Sequence, residues 1–366
     1  MSFTVGLIAD DLTGAGDAAV QFARRGWNTF LVLKSAGKLQ PVGRRGFGEG
    51  EPGGGPTLLA VATGARALDN VAAERATARA VDQLVDAGID RMFLKIDSTM
   101  RGSVPGQIAG ALSAWRGTHS GACAVVCPAY PEMGRTVEAN RILVDGQPVE
   151  RSPFGRDPVT PVHTSDLSVL IPGSEKRGRG SRSLFSITTV DAVSDQDLAV
   201  LAAAIATGGA SVIPVGSAGL ARAMAALWAA APERPAEVRP RLPRHPRILI
   251  QVTSLHPASL AQASRLLETF PEVRVLTGEA EAASAAMVEL LKTERWDILG
   301  LIGGDGARAA VDMLGASAIR IVDSLIEGVP LGILIGGWAD GMPVFTKAGG
   351  FGAEDALLKV VERIRA

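Results

Sequence analysis

Three carboxylates lie close together in one glycine-rich segment near the start of the chain. Residues 8–17 read Ile-Ala-Asp-Asp-Leu-Thr-Gly-Ala-Gly-Asp, so Asp10, Asp11 and Asp17 surround a single turn. A strand-like run precedes this turn and a helix-like run follows it, which places Asp10, Asp11 and Thr13 at the carboxyl end of a strand. Open α/β sheets bind ligands at that edge, and carboxylates there could accept a proton or hold a cation. The alternative is that the adjacent acids only cap the helix.

A second polar cluster follows another apolar strand, in the run Lys95-Ile-Asp-Ser-Thr-Met-Arg-Gly102. The alternation of a strand places Lys95 and Asp97 on the same side of the chain. Ser98 and Arg101 then fall in the loop before the next helix. Together they offer a base, a cation, a hydroxyl and a guanidinium fork that suits a carboxylate or phosphate. The alternative is a Lys95–Asp97 salt bridge with Ser98 as a helix cap.

The loop at 128–136 carries a further cation. It reads Pro-Ala-Tyr-Pro-Glu-Met-Gly-Arg-Thr, so two prolines stiffen it and Arg135 is available for an anion. This motif is weak by itself, because proline-containing loops are common.

Three small-residue turns in the C-terminal half are suited to phosphate. Gly303-Gly-Asp-Gly306 follows a predicted strand and opens a predicted helix, so its backbone amides could cradle a phosphate. The segment 346–352, Thr-Lys-Ala-Gly-Gly-Phe-Gly, allows close backbone approach, and Lys347 could neutralise phosphate charge. The turn at 254–259 is a third candidate. Three such turns in one small domain favour a nucleotide.

The bulk composition excludes several function classes. The chain has 366 residues, a formal net charge of -1 and 4% aromatic residues, which argues against nucleic acid and anionic membranes as partners. No apolar run approaches the length of a membrane span. Cys123 and Cys127 are too far apart in an extended chain for a disulfide. We expect reduced core cysteines in a cytoplasmic protein, and the four scattered histidines give no zinc spacing.

Alternating strand-like and helix-like segments predict an α/β fold with two domains. Each domain should be a mainly parallel sheet flanked by helices, with the active site in the interdomain cleft. Recurring prolines at 232–246 predict a stiff linker between an N-terminal domain, 1–231, and a C-terminal domain, 247–366. The glycine- and proline-rich segment 37–56 and the basic segment 176–182 are predicted surface loops.

Taken together, the motifs resemble those of the four-carbon acid sugar kinases. The resemblance runs from near residue 3 to near residue 360, and it is carried in order by Asp10-Asp-Leu-Thr-Gly-Ala, Lys95-Ile-Asp-Ser-Thr-Met-Arg-Gly, Pro128-Ala-Tyr-Pro-Glu-Met-Gly-Arg, Gly216-Ser-Ala-Gly-Leu-Ala, Gly303-Gly-Asp and Lys347-Ala-Gly-Gly-Phe-Gly. It implies a two-domain α/β kinase that uses ATP to phosphorylate the terminal hydroxyl of threonate, erythronate or a 3-oxo-tetronate. The N-terminal domain would bind the sugar acid and the C-terminal domain would bind ATP.

The resemblance also suggests roles for the candidate residues. One of Asp10, Asp11 and Asp97 would accept the hydroxyl proton, while the others hold Mg²⁺ directly or through water; no metal ligand is assigned individually. The substrate-binding candidates are Thr13, Lys95, Ser98, Arg101 and Arg135. The ATP-binding candidates are Ser254, Gly303, Gly304, Asp305, Gly306, Lys347, Gly349 and Gly350.

Two departures from the family pattern keep alternatives open. The turn Thr253–His256 stands where members usually carry Gly-Ser, and Gly306 stands where most carry threonine. A non-catalytic sugar-acid-binding paralogue with a degraded ATP site is therefore one alternative. A ribokinase-like sugar kinase is another, because residues 13–17 imitate the anion-hole signature of that family. The oligomeric state is open, with a homodimer among the options.

Overall fold

The computed structural model describes residues 4–33, 55–176, 186–228 and 239–366. The predicted loops at 37–56 and 176–182 lie almost wholly outside the described residues, as does the first half of the predicted linker.

The N-terminal half alternates strands and helices. Its strands are β1 (Thr4–Ala9), β2 (Asn28–Val32), β3 (Thr57–Ala62), β4 (Arg91–Lys95), β5 (Cys123–Cys127), β6 (Arg135–Glu138), β7 (Arg141–Val144), β8 (Gln147–Pro148), β9 (Glu175–Lys176), β10 (Ile187–Thr189) and β11 (Val212–Gly216). Its helices are α1 (Leu12–Ala23), α2 (Asn70–Asp86), α3 (Val104–Trp115), α4 (Leu167–Leu170), α5 (Asp195–Thr207) and α6 (Ala218–Trp228).

The C-terminal half repeats this alternation. Its strands are β12 (Ile248–Val252), β13 (Arg274–Thr277), β14 (Ile298–Ile302), β15 (Ala318–Ile326), β16 (Val329–Ile335) and β17 (Pro343–Lys347). Its helices are α7 (Pro257–Thr269), α8 (Ala280–Thr293), α9 (Gly304–Met313) and α10 (Ala356–Arg365).

One sheet runs through both halves of the described chain. Its strand order is β13-β12-β14-β17-β16-β15-β2-β3-β1-β4-β11-β5-β10-β9, and most neighbours are parallel. The antiparallel strands β15 and β16 lie near the middle, and β15 pairs with β2 so that Ala318 is opposite Val32. The predicted α/β architecture is confirmed, but the two sheets are continuous. Pairing with β15 satisfies the backbone groups that β2 would otherwise expose at a sheet edge.

The polar motifs follow the carboxyl ends of parallel strands. Strands β1 and β5 are buried at every position and β4 at every position except Arg91, as expected where helices cover both faces of a parallel sheet. Their carboxyl ends share one direction, and the carboxyl ends of β12, β14 and β17 share another. Three antiparallel pairings lie between the two groups of strands, so the groups run in opposite directions through the sheet, and the segments that follow each group line opposite walls of one cleft.

Local side chains cap two of the helices. Asp69 caps α2 by accepting a hydrogen bond from the Ala72 amide, and Ser194 forms a capping box with Asp197 at the start of α5. Both cysteines are buried and free. In the described part of the chain, no helix combines the length and apolar character needed to cross a bilayer.

The small sheet β6-β7-β8 was not predicted. The turn between β6 and β7 places Ala139 and Asn140 at φ values of 50° and 64°. Alanine is an unusual residue for such left-handed backbone, so no local pattern predicts a hairpin there. The last residues of the predicted loop 128–136 therefore belong to a strand, and Arg135 is the first residue of β6.

Candidate active site

A cleft of about 530 Å³ opens between the two halves and is lined by segments that follow strands of both. The predicted site residues that line it are Asp11, Thr13, Lys95, Asp97, Ser98, Arg101 and Arg135 from the N-terminal half, and Ser254, Gly303, Gly304, Asp305, Gly349 and Gly350 from the C-terminal half. Three predicted site residues do not line the cleft, namely Asp10, Gly306 and Lys347. Each of those three residues is buried and contacts a residue that lines the cleft.

Arg66 organises the acidic side of the cleft. Its guanidinium binds Asp10 in bidentate fashion, with Nε–Oδ2 at 2.7 Å and NH2–Oδ1 at 2.8 Å. Its NH1 donates to Asp11 Oδ2 at 2.5 Å, and its NH2 lies 3.5 Å from Asp97 Oδ2. Three carboxylates from two strand ends therefore share one arginine. Arg66 was not predicted as a site residue, although it follows β3, the strand next to β1.

Asp11 has two roles in this arrangement. Its Oδ1 accepts a hydrogen bond of 2.5 Å from the Gly14 amide and so caps α1, as the capping alternative predicted. Its Oδ2 simultaneously binds Arg66. The two carboxylate oxygens thus fix the helix start relative to the arginine.

A second ion pair holds Asp97. Arg101 NH2 lies 2.7 Å from Asp97 Oδ2, and Arg101 NH1 lies 3.2 Å from Asp157 Oδ2. Although burial opposes ionisation, Arg101 and Arg66 hold the pKa of Asp97 well below its ordinary value. Asp97 is therefore a fixed anion. The alternative of a Lys95–Asp97 salt bridge is wrong, because arginines occupy that carboxylate.

Two cleft cations stay without a carboxylate partner in the described part of the chain. Lys95 is buried, and its Nζ donates to the Ile96 carbonyl at 3.1 Å. Arg135 donates to the Met133 carbonyl and places its guanidinium 5.6 Å from the centroid of the Phe154 ring. Both groups retain positive charge that an incoming anion could neutralise.

Asp17 is a cleft residue that the list of predicted site residues omitted. It lies one turn after Thr13 on the same face of α1, and both side chains line the cleft. Its Oδ1 is inaccessible to solvent and has no hydrogen-bond partner among the described residues. Burial raises the pKa of Asp17 to about 7 against the opposing effect of Lys95. Its position in the glycine-rich segment 8–17 was the feature of the sequence that could have identified Asp17 as a site residue.

The start of α9 faces the carboxylates. Gly303 has a φ of 104°, and a Cβ there would lie 3.0 Å from the Ser254 amide nitrogen. A Cβ on the next residue, Gly304, would lie 3.8 Å from Asp11 Oδ2. The helix N-terminus, a natural anion site, therefore opens directly onto the acid cluster across the cleft.

The buried side chain of Lys347 holds the glycine-rich segment 346–352 in place by hydrogen bonds. Its side chain is fully buried, and its Nζ donates to the carbonyls of Ala348, Gly349 and Phe351 at 2.8, 3.2 and 2.7 Å. Burial lowers the pKa of Lys347 to about 7. The ammonium thus points into its own loop rather than into the cleft. Ser259 Oγ also donates to the Gly349 carbonyl, at 2.7 Å.

The two departures from the family pattern, at the turn that begins with Thr253 and at Gly306, lie next to each other in the structure. A Cβ built on Gly306 would overlap the side chain of Thr253. Thr253 itself donates to the Ile302 carbonyl at 3.2 Å. The side chain of Thr253, directly after β12, therefore fills the space that a side chain at 306 would need, and the two changes compensate each other.

Comparison with known proteins agrees with this arrangement. A model of a sugar-binding N-terminal domain matches residues 5–224, and a model of a nucleotide-binding C-terminal domain matches residues 201–357. A D-threonate kinase of Bordetella bronchiseptica is 34% identical, covering 99% of this chain and 97% of that protein. A 3-oxo-tetronate kinase of Methylobacterium radiotolerans is 26% identical, covering 97% and 98%. A D-erythronate kinase of Heliobacterium modesticaldum is 24% identical, covering 97% and 96%.

Solved structures are similar as well. A Bordetella bronchiseptica protein with bound citrate, described as a domain-swapped dimer, has 33% identity and a TM-score of 0.53, covering 100% of this chain and 99% of that one. A Haemophilus influenzae protein at 18% identity shares the fold, with a TM-score of 0.68 over 98% of this chain and 99% of that one. The chain belongs to the four-carbon acid sugar kinase family.

Proposed function

We propose that this protein is an ATP-dependent kinase that phosphorylates the terminal hydroxyl of a four-carbon sugar acid of the threonate, erythronate or 3-oxo-tetronate class. The observation that carries the proposal is the cleft itself. It joins a set of acids and cations on the N-terminal half to a glycine cradle on the C-terminal half, with Gly304 facing Asp11. A phosphoryl donor and a small acid would meet there.

The cations that lack carboxylate partners are the natural ligands of the substrate carboxylate. We assign this contact to Arg135 and Lys95, because Arg101 is already neutralised by Asp97 and Asp157. Thr13 and Ser98 line the same wall and would bind substrate hydroxyls. Arg101 would then act by fixing Asp97 and the loop before α3.

The C-terminal half would bind ATP through its backbone. The amides at the start of α9, at Gly303, Gly304 and Asp305, would cradle phosphate oxygens, supported by Ser254 and by the loop at Gly349 and Gly350. Gly306 and Lys347 would contribute indirectly. Gly306 leaves room for the side chain of Thr253, and Lys347 holds the segment 346–352 in place.

Mg²⁺ would accompany the nucleotide. The described residues contain no cluster of three or more His, Cys, Asp or Glu that could hold a metal alone. Mg²⁺ needs no such cluster when phosphates supply ligands, because one carboxylate and waters complete its shell. Asp305 is exposed at the cleft beside the cradle and fits that role. The ion would offset the phosphate charge.

Transfer itself requires mainly positioning. In-line attack brings the substrate hydroxyl oxygen to the γ-phosphorus opposite the leaving oxygen of ADP, and fixed charges stabilise the transition state. The ion pairs of Arg66 and Arg101 hold Asp10, Asp11 and Asp97 in place, so these acids orient the cations and α1 before substrate arrives.

The compensating Thr253–Gly306 pair argues against a degraded nucleotide site. Two independent losses would leave a gap or a clash, whereas here one side chain fills the space of the other. A pure sugar-acid binder is the alternative. It would be stabilised thermally by the acid and not by Mg-ATP, whereas a kinase responds to both.

The direct test is ADP release with Mg-ATP across D- and L-threonate, D- and L-erythronate and 3-oxo-tetronates, with four-carbon aldoses as controls lacking the carboxylate. We expect turnover with one or a few acids and none with the aldoses. Turnover with aldoses equal to that with acids would contradict the assigned carboxylate contact.

We also propose that the protein forms a homodimer in the cytoplasm. A relative at 33% identity is described as a domain-swapped dimer. The two free cysteines fit a reducing compartment. Light scattering after size-exclusion chromatography would give a mass near 38 kDa for a monomer or twice that for a dimer, since one chain is 37.8 kDa.

A further inference from the structure

We infer that Asp17 is the catalytic base that accepts the proton of the substrate's terminal hydroxyl, an inference that rests on the proposed kinase function. Asp17 lines the cleft from α1, near Lys95 and on the same helix face as Thr13. Its Oδ1 is buried without any partner among the described residues. A buried carboxylate oxygen normally has a hydrogen-bond partner, so without one Asp17 is poorly stabilised as an anion, and its side chain borders the cleft where the substrate hydroxyl would lie.

The other acids of the N-terminal wall are occupied. Asp10 is fully buried, binds Arg66 through both oxygens and does not line the cleft. Asp11 divides its oxygens between the α1 amide and Arg66, and Asp97 is bound by Arg101. An arginine partner favours the anion and so weakens it as a proton acceptor. Burial nevertheless raises the pKa of Asp10, but that carboxylate does not reach the cleft. Asp17 Oδ1 has no hydrogen-bond partner among the described residues.

Burial keeps the affinity of Asp17 for protons high, and the surrounding charges modify it. Lys95 on β4 and Arg24, which follows α1, lower its pKa, whereas Glu327 and Asp11 raise it. Glu327 lies in the turn between β15 and β16 and accepts hydrogen bonds from Tyr130, Gln21 and Arg24. These donors keep the pKa of Glu327 below its ordinary value despite burial, so Glu327 remains an anion beside Asp17. A base with a pKa near the working pH is the most effective proton acceptor.

The step balances without further reactants. The hydroxyl oxygen forms a bond to the γ-phosphorus, the bond from that phosphorus to the bridging oxygen of ADP breaks, and the hydroxyl proton moves to Asp17. ADP leaves with the bond electrons, and Asp17 later releases the proton to solvent.

The test compares Asp17→Asn and Glu327→Gln with the wild-type protein, using Asp323→Asn, whose acid lies outside the cleft, as a matched control. For Asp17→Asn we expect kcat to fall by about 10²–10⁴-fold with little change in KM for either substrate. Wild-type kcat/KM should rise with pH to a plateau, with a midpoint near the Asp17 pKa of about 7. Glu327→Gln should move that midpoint to lower pH, because it removes a like charge. Asp323→Asn should leave rate and profile unchanged.

The outcomes separate this inference from the proposed function. Absence of wild-type turnover on every acid would defeat the kinase function itself. Wild-type turnover with Asp17→Asn retaining a similar rate, or a wild-type profile that stays flat through neutral pH, would overturn the role of Asp17 alone. If Asp17→Asn fails to fold, the wild-type and Glu327→Gln profiles decide the question, since a structural role would not move the midpoint.

Discussion

The two walls of the cleft achieve binding in opposite ways. The N-terminal wall is dense with charge, and Arg66 and Arg101 fix Asp10, Asp11 and Asp97 by short ion pairs. The C-terminal wall is largely backbone, and its glycines leave room where a side chain would overlap Ser254 or Thr253. The N-terminal wall presents side chains that ion pairs hold in place, and the C-terminal wall presents backbone groups that its glycines leave uncovered.

This difference predicts different sensitivities to mutation. Removing a charge from the N-terminal wall leaves its buried partner uncompensated, which is costly for folding. Adding a methyl group to the C-terminal wall obstructs a ligand or a neighbouring turn, which affects nucleotide binding first. Charge deletions should therefore act strongly on the first wall and volume additions on the second.

Arg66→Met should produce the largest effect on stability. It leaves Asp10, which is fully buried, without its bidentate partner, and breaking such a pair typically costs about 3–5 kcal/mol. Urea denaturation measures the change. Arg308→Met, which breaks an exposed pair with Asp312, is the matched control and should change the free energy of unfolding by less than about 1 kcal/mol. Equal effects of the two variants would contradict the central role of Arg66.

Gly306→Thr should be the most damaging volume addition. Its Cβ would overlap Thr253, and overpacking of this kind costs about 1–3 kcal/mol. The double variant Thr253→Gly/Gly306→Thr should recover most of the stability and the ATP affinity, because only one of the two positions then places a side chain in the shared space. A double-mutant cycle by denaturation and ATP titration measures the coupling. Strict additivity would show that the two positions are independent.

Arg135→Gln should raise KM for the sugar acid by about 10–100-fold, since the cleft loses an unneutralised cation. KM for ATP should stay near its wild-type value, because the change lies on the N-terminal wall. Steady-state kinetics measures both constants. Arg116→Gln is the control, because Arg116 follows α3 and binds the Ala122 carbonyl away from the cleft. A larger change in KM for ATP than for the acid would contradict the division between the walls.

Asp17→Asn should stabilise the protein slightly at alkaline pH. Because burial raises the folded-state pKa of Asp17 to about 7, the folded protein holds this proton more tightly than the unfolded chain does. Stability therefore falls as pH rises from about 4 to about 7, and the asparagine variant avoids that loss. We expect about 1–2 kcal/mol at about pH 8, reduced from the full linkage because the cleft is partly solvated. Thermal unfolding should show the gain disappearing near about pH 4, and a gain of equal size at both pH values would exclude ionisation as its cause.

Local patterns in the sequence were sufficient for most elements. The strands Ile248–Val252 and Ile298–Ile302 and the helix Pro257–Thr269 begin and end where apolar runs and turn residues predict. Asp69 caps its helix through a nearby amide, because a cap depends only on neighbouring residues. Motifs that follow strands of either half line one cleft, as the predicted interdomain site requires.

The remaining features depend on contacts between distant segments. The pairing of β15 with β2 joins residues almost 300 positions apart, so no local pattern could show that the sheet is continuous. Arg66 became a site residue only when β3 was placed beside β1. Lys347 is the last residue of β17 and precedes a glycine-rich loop, which suggested a phosphate contact, yet three loop carbonyls bind its ammonium. Whether a cation faces a ligand or its own backbone depends on side-chain direction, which sequence does not specify.

The most direct test of the account is the identity of the product. Phosphorus NMR of the reaction with Mg-ATP and the best acid of the panel reports which oxygen carries the new phosphate. We predict one phosphomonoester signal that is split by the two protons of the terminal methylene, with an equal amount of ADP. A signal split by a single proton, from a secondary hydroxyl, or ADP formed without any phosphomonoester, would contradict transfer to the terminal hydroxyl in this cleft.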